Sequence, residues 1–97
     1  MLFLARMDAA LPPDLDPEVK ADYLAREKAY CVELQERGVM KAIWRVVGEN
    51  ANYSIFDLDD HDELHRTLQG LPLYAFLKVT VTPLAKHPDA VDYYLKG

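Results

Sequence analysis

The chain has 97 residues, room for one small domain and not for two. Hydrophobic residues make up 51% and charged residues 28%, a globular balance rather than a disordered one. Eleven basic residues against sixteen acidic give a net charge of -5, which argues against nucleic acid or an anionic membrane surface as partner.

The single cysteine, Cys31, leaves no intrachain disulfide and rules out Cys-rich zinc sites. The opening Met1-Leu2-Phe3-Leu4-Ala5-Arg6 is too short an apolar run for a signal peptide, and its charge follows the run instead of preceding it. No apolar run approaches the roughly 20 residues of a membrane span. A soluble, cytoplasmic protein is expected.

Residues 2–8 are apolar-rich and end in turn chemistry, which reads as a strand. A loop containing Pro12, Pro13 and Pro17 follows, and Asp16 before Pro17 is an N-cap and first-turn signal. A helix is expected over residues 17–37, ended by Gly38. Its apolar stripe is Val19, Tyr23, Leu24, Tyr30, Cys31 and Leu34. Residues 39–47 and 51–58 read as a hairpin of two strands around Gly48-Glu49-Asn50. Asp60 with Glu63 resembles a capping box and starts a second helix, whose inner face is Leu64, Leu68 and Leu71 and which Gly70 and Pro72 end. Residues 74–82 read as a last strand. From Pro83 to the end the chain reads as a tail, whose Tyr93 and Tyr94 suggest that it docks on a neighbouring subunit.

The order β-α-β-β-α-β predicts an α+β fold, the ferredoxin-like sandwich: a four-stranded antiparallel sheet with two helices on one face. All 97 residues would form this single domain. The second strand is apolar on both alternations, with Met40, Ala42, Trp44 and Val46 on one side and Val39, Ile43 and Val47 on the other. A half-exposed antiparallel sheet alternates more cleanly. A partner on the second face is therefore expected, most simply another copy of the chain.

Glu27 falls on the buried stripe of the first helix, three residues after Leu24 and four before Cys31. Desolvation there would raise its pKa toward the range useful for proton abstraction. The other reading places it at the core edge, paired with a basic side chain. Lys41 and Arg45 share a strand face with Ile43; they either grip a carboxylate ligand or serve as edge-strand charges. Lys28 is a further cation beside Glu27. Trp44, Tyr53, Phe56, Tyr74 and Phe76 either line a pocket or belong to the core. His61 and His65 are spaced i, i+4, but the Glu between them is in the wrong position for a zinc-protease helix, so no metal site is expected. Cys31 reads as a small buried hydrophobe.

The chain resembles the muconolactone Δ-isomerases from Met1 to about Asp89. The resemblance is carried by Met1-Leu2-Phe3-Leu4, Met7, Leu11-Pro12, Glu27-Lys28, Leu34-Gln35, Trp44-Arg45, Ala51-Asn52-Tyr53-Ser54, Phe56-Asp57, Leu64-His65, Leu71-Pro72-Leu73 and His87-Pro88. It implies a ferredoxin-like fold in ring-like homo-oligomers, described as decamers. It also implies a role in bacterial catabolism of aromatic compounds, converting muconolactone to 3-oxoadipate enol-lactone without metal or organic cofactor. A carboxylate would move the ring proton by way of a dienolate. On that implication Glu27 is the general acid/base, with Lys28 and Arg45 stabilising charge, Tyr53 and His65 as further polar contacts, and Trp44 as a pocket wall. The chain departs from the family pattern at Met40-Lys41-Ala42-Ile43, at Glu49-Asn50 and at Tyr74-Ala75-Phe76-Leu77-Lys78. Those departures leave room for a substituted lactone or a biosynthetic intermediate as substrate. A non-catalytic ligand-binding or assembly domain is the reading from another class.

Overall fold

The computed structural model describes residues 1–91. Its elements are β1 (Leu2–Ala9), α1 (Pro17–Glu36), β2 (Met40–Arg45), β3 (Ala51–Asp57), α2 (His61–Gln69), a short 3-10 turn (Tyr74–Phe76) and β4 (Leu77–Leu84). The four strands form one antiparallel sheet in the order β2-β3-β1-β4. This is the ferredoxin-like arrangement expected from the element order. Among the described residues, no helix is long and apolar enough to cross a membrane.

Local chemistry accounts for the element ends. Asp16 caps α1, its Oδ1 accepting from the Glu18 amide at 2.9 Å, and Pro17 stands where no amide is needed. Asp60 caps α2 through the Glu63 amide at 2.8 Å. The Glu63 carboxylate reaches back to the Asp59 amide at 3.2 Å, one residue before the cap. Gly38 and Gly48 take positive φ, 74° and 80°, where a side chain would be strained.

Antiparallel pairing fixes which residues share a face. Phe3, Ala5 and Met7 on β1 stand opposite Phe56, Ser54 and Asn52 on β3. The helices cover this face, and the buried core joins Phe3, Met7, Met40 and Phe56 to Leu34 of α1 and Leu64 and Leu68 of α2. The other face carries Leu4, Ala42, Trp44, Tyr53 and Ile55. Trp44 is 69% exposed there.

Three expectations are corrected. The pairing of β2 with β3 slips at a bulge between Met40 and Ala42. An extra residue flips the alternation. Met40 therefore lies on the helix-covered face with Ile43 and Arg45, whereas Lys41 extends to Asp57, 4.0 Å away. Lys41 and Arg45 do not share a face. Residues 74–76 form the 3-10 turn instead of opening the last strand, with the Phe76 amide donating to the Leu73 carbonyl at 2.7 Å. Pro83 continues β4, opposite Phe3. It is tolerated because β4 is an edge strand. Tyr93 and Tyr94, on which the docking tail rests, lie outside the described residues.

A hydrogen bond also ties the two helices together. The Tyr30 hydroxyl donates to the Thr67 carbonyl at 2.7 Å, packed over Gly70. A methyl group at Gly70 would collide with that hydroxyl. Gly70→Ala is expected to cost about 1–3 kcal/mol, an overpacking penalty. Denaturant melts should show the loss shrinking in a Tyr30→Phe background, where the colliding oxygen is gone.

Candidate active site

The first helix meets the core only at its C-terminal end. Leu34 is buried, and Tyr30 and Cys31 pack partly against the core. About two and three turns before Cys31 the apolar side chains are uncovered, Leu24 at 45% and Val19 at 44%. The N-terminal half of α1 therefore stands off the sheet. Between them lies a cleft of about 730 Å³. That is within the range of small-molecule sites, roughly 300–1,000 Å³.

Glu27 sits where the packed part of α1 gives way to the cleft. Its Oε1 accepts from the Leu73 amide at 3.0 Å. Its Oε2 lies 4.0 Å from the Cys31 thiol. Among the described residues these contacts come from a backbone amide and a neutral thiol, not from a cation at the core edge. Burial pushes the Glu27 pKa up, and the Leu73 amide opposes part of that rise. The result is a half-buried carboxylate with one oxygen fixed and the other turned toward the thiol.

Lys28 and Arg45 line the same cleft. Arg45 is the last residue of β2, and its Nη1 donates to Asn50 Oδ1 at 3.1 Å. The cleft thus holds one partly desolvated carboxylate and, on two walls, cations able to meet a negative charge. An anionic substrate with an acidic C–H bond suits that arrangement.

The structure places the other sequence-derived candidates elsewhere. Trp44 and Tyr53 are paired neighbours on the opposite face of the sheet. The Tyr53 hydroxyl accepts from Arg6 Nη1 at 3.3 Å, and the Arg6 guanidinium lies 5.4 Å from the centre of its ring. His65, on α2, borders a smaller apolar depression with Phe3, His61 and Val81. Within one chain none of these three reaches the Glu27 cleft. Among the described residues no group of three or more His, Cys, Asp or Glu stands as a metal-ligand set.

Four polar side chains in the cleft were given no role in the sequence analysis: Lys20, Gln35, Asn50 and Asn52. Lys20 precedes Glu27 by seven residues, so helical spacing did carry a signal for it. The Leu73 amide is a backbone group and left none. Cys31 also lines the cleft. Its thiol pKa is pushed up to about 11, by burial first and then by the charge of Glu27. It stays neutral near pH 7 and is a poor nucleophile.

The family profile for muconolactone delta-isomerase matches residues 1–90. The muconolactone delta-isomerase of Cupriavidus pinatubonensis is 55% identical over 91 residues, covering 94% of this chain and 99% of that protein. That of Rhodococcus opacus is 50% identical over 90 residues, covering 93% and 97%. A crystal structure of muconolactone isomerase superposes with a TM-score of 0.90 at 38% identity, covering 94% of this chain and 95% of that one. A 5-chloro-2-hydroxyhydroquinone dehydrochlorinase from Burkholderia phenoliruptrix shares the fold, with a TM-score of 0.68 at 19% identity over 90% of this chain and 96% of that one. The match extends over nearly the whole chain, at up to more than half identity, and the chain belongs to the muconolactone delta-isomerase family of enzymes.

Proposed function

We propose that this enzyme converts muconolactone to 3-oxoadipate enol-lactone in the catabolism of aromatic compounds, with Glu27 as the group that moves the proton. The observation that carries the proposal is the Glu27 carboxylate, held at one oxygen by the Leu73 amide in a cleft of about 730 Å³.

The chemistry needs one base and no net change in atoms. The lactone ring has a C2=C3 double bond and a hydrogen on C4, which carries the carboxymethyl arm. Glu27 takes the C4 proton, and the released electron pair spreads through the ring to the carbonyl oxygen as a dienolate. The protonated Glu27 returns a proton to C2, leaving the double bond at C3=C4. A carboxyl group with a raised pKa holds the proton between the two steps. Lys28 meets the dienolate oxygen, where charge develops. Arg45 grips the substrate carboxylate. No metal or organic cofactor enters this scheme.

The outer face of the sheet, with Leu4, Tyr53, Ile55 and Trp44, supports self-association. We assign Trp44 and Tyr53 to that face, in a homo-oligomer of the decameric kind, with the tail beyond Leu84 docking on a neighbour. His65 is assigned no part in the Glu27 cleft.

The test is turnover. Purified protein incubated with (S)-muconolactone should give the enol-lactone, followed by the change in ultraviolet absorption. A folded protein that leaves muconolactone untouched while isomerising a methyl- or chloro-substituted lactone would overturn the substrate assignment and keep the chemistry.

A further inference from the structure

We infer that Asn50 is a positioning residue that holds the Arg45 guanidinium toward the substrate carboxylate. The inference rests on the reading of Arg45 given above and deepens it. Arg45 ends an edge strand and is exposed. A long side chain in that setting samples many rotamers, and fixing it costs entropy. Here Nη1 is bonded to Asn50 Oδ1 at 3.1 Å.

Asn50 is itself moored. Its Nδ2 donates to the Ala9 carbonyl at 3.3 Å, and its own carbonyl accepts from the Ala9 amide at 3.0 Å. The turn that presents it is closed by the Glu49 amide on the Val46 carbonyl at 3.2 Å, with Gly48 at φ 80°. The guanidinium is thereby tied, through one amide side chain, to the end of β1. Both Asn50 and Arg45 border the Glu27 cleft.

The chemistry of the partner matters. An amide oxygen orients a guanidinium without cancelling its charge, and it occupies only part of the donor fork. The remaining N–H groups can take a carboxylate. The neighbouring acid, Glu49, is engaged elsewhere, with Arg6 Nη2 at 2.9 Å. Arg45 therefore keeps its positive charge for the ligand.

The experiment compares two substrates. One is muconolactone; the other is the neutral lactone in which a methyl group replaces the carboxymethyl arm, followed by deuterium exchange at the ring. Asn50→Ala should raise KM for muconolactone about 5- to 10-fold, the size of one ordinary hydrogen bond, with kcat little changed. Exchange of the neutral lactone should stay at the wild-type rate. Asn50→Asp keeps the shape but neutralises the guanidinium, and should raise the muconolactone KM at least as far. It also carries the test should Asn50→Ala fail to fold. Equal losses on both lactones would mean a structural role and overturn the inference. Arg45→Ala separates the two levels. A raised KM in Arg45→Ala with unchanged Asn50 variants would sink the positioning role alone. An unchanged KM in Arg45→Ala would sink the role of Arg45, and the positioning role with it.

Discussion

Glu27→Gln should lower kcat for muconolactone by at least about 10³-fold, within the usual range for a positioned acid or base. The substitution keeps the size of the side chain, and the Gln amide oxygen can still accept from the Leu73 amide. It removes only the ability to take and return a proton. KM should change little, because Arg45, proposed to grip the substrate carboxylate, is untouched.

The same variant should be no less stable than the parent, and pH gives the reason. Burial holds the folded-state pKa of Glu27 above its unfolded value. Folding therefore favours the protonated form. The contribution of this group is most favourable below the unfolded carboxylate pKa. It weakens as pH rises through the folded pKa, and at neutral pH the ionised carboxylate costs the fold something. Gln carries no such cost. Thermal melts at pH 7 should place Glu27→Gln level with the wild type or above it. Activity runs the other way: kcat should fall as pH drops through the raised Glu27 pKa, since the protonated acid cannot act as a base. A variant that melted well below the wild type would mean that the carboxylate is structural.

The largest stability effect is expected at Phe56. It is 0% exposed at the centre of the sheet, opposite Phe3 on β1 and Met40 on β2. Phe56→Ala removes the ring and leaves a cavity that the flanking strands cannot close. The expected cost is about 3–5 kcal/mol. A domain of this size has a total stability of roughly 5–15 kcal/mol, so much of it would go. The melting temperature should fall by about 15–30 °C. Val47, 96% exposed in the hairpin turn, is the control; Val47→Ala should stay within about 0.5 kcal/mol. A small loss at Phe56 would mean that the central strands are not the packed core described above.

Much of this architecture was legible because its signals are local. Asp16-Pro17 and Asp60 with Glu63 announce helix starts, Gly38 and Gly48 announce stops, and the apolar runs match the strands. Helical spacing marked Glu27 as a carboxylate within an apolar stripe but left open whether it was paired at the core edge; only the resemblance pointed to a proton-moving role, and its place on the cleft came with the fold. The bulge at Met40 and Ala42 was not legible. It comes from pairing between strands, and it moved Lys41 away from Arg45. Alternation sets Trp44 and Arg45, adjacent on one strand, on opposite faces; which of the two the helices cover emerges only from the tertiary packing, and within one chain it leaves Trp44 and Tyr53 outside the cleft. The cleft is a property of how α1 sits on the sheet, and the Leu73 amide and the Asn50 tether reach it only through tertiary contacts.

The central claim is that Glu27 moves a proton on the lactone ring. The most direct measurement follows the ring protons of (S)-muconolactone by NMR in deuterated buffer, with wild-type protein and with Glu27→Gln. The account predicts double-bond migration with the wild type, accompanied by deuterium at C2 to the extent that the Glu27 proton exchanges with solvent. It predicts virtually no migration with the folded Gln variant. Migration at an undiminished rate in Glu27→Gln would contradict it.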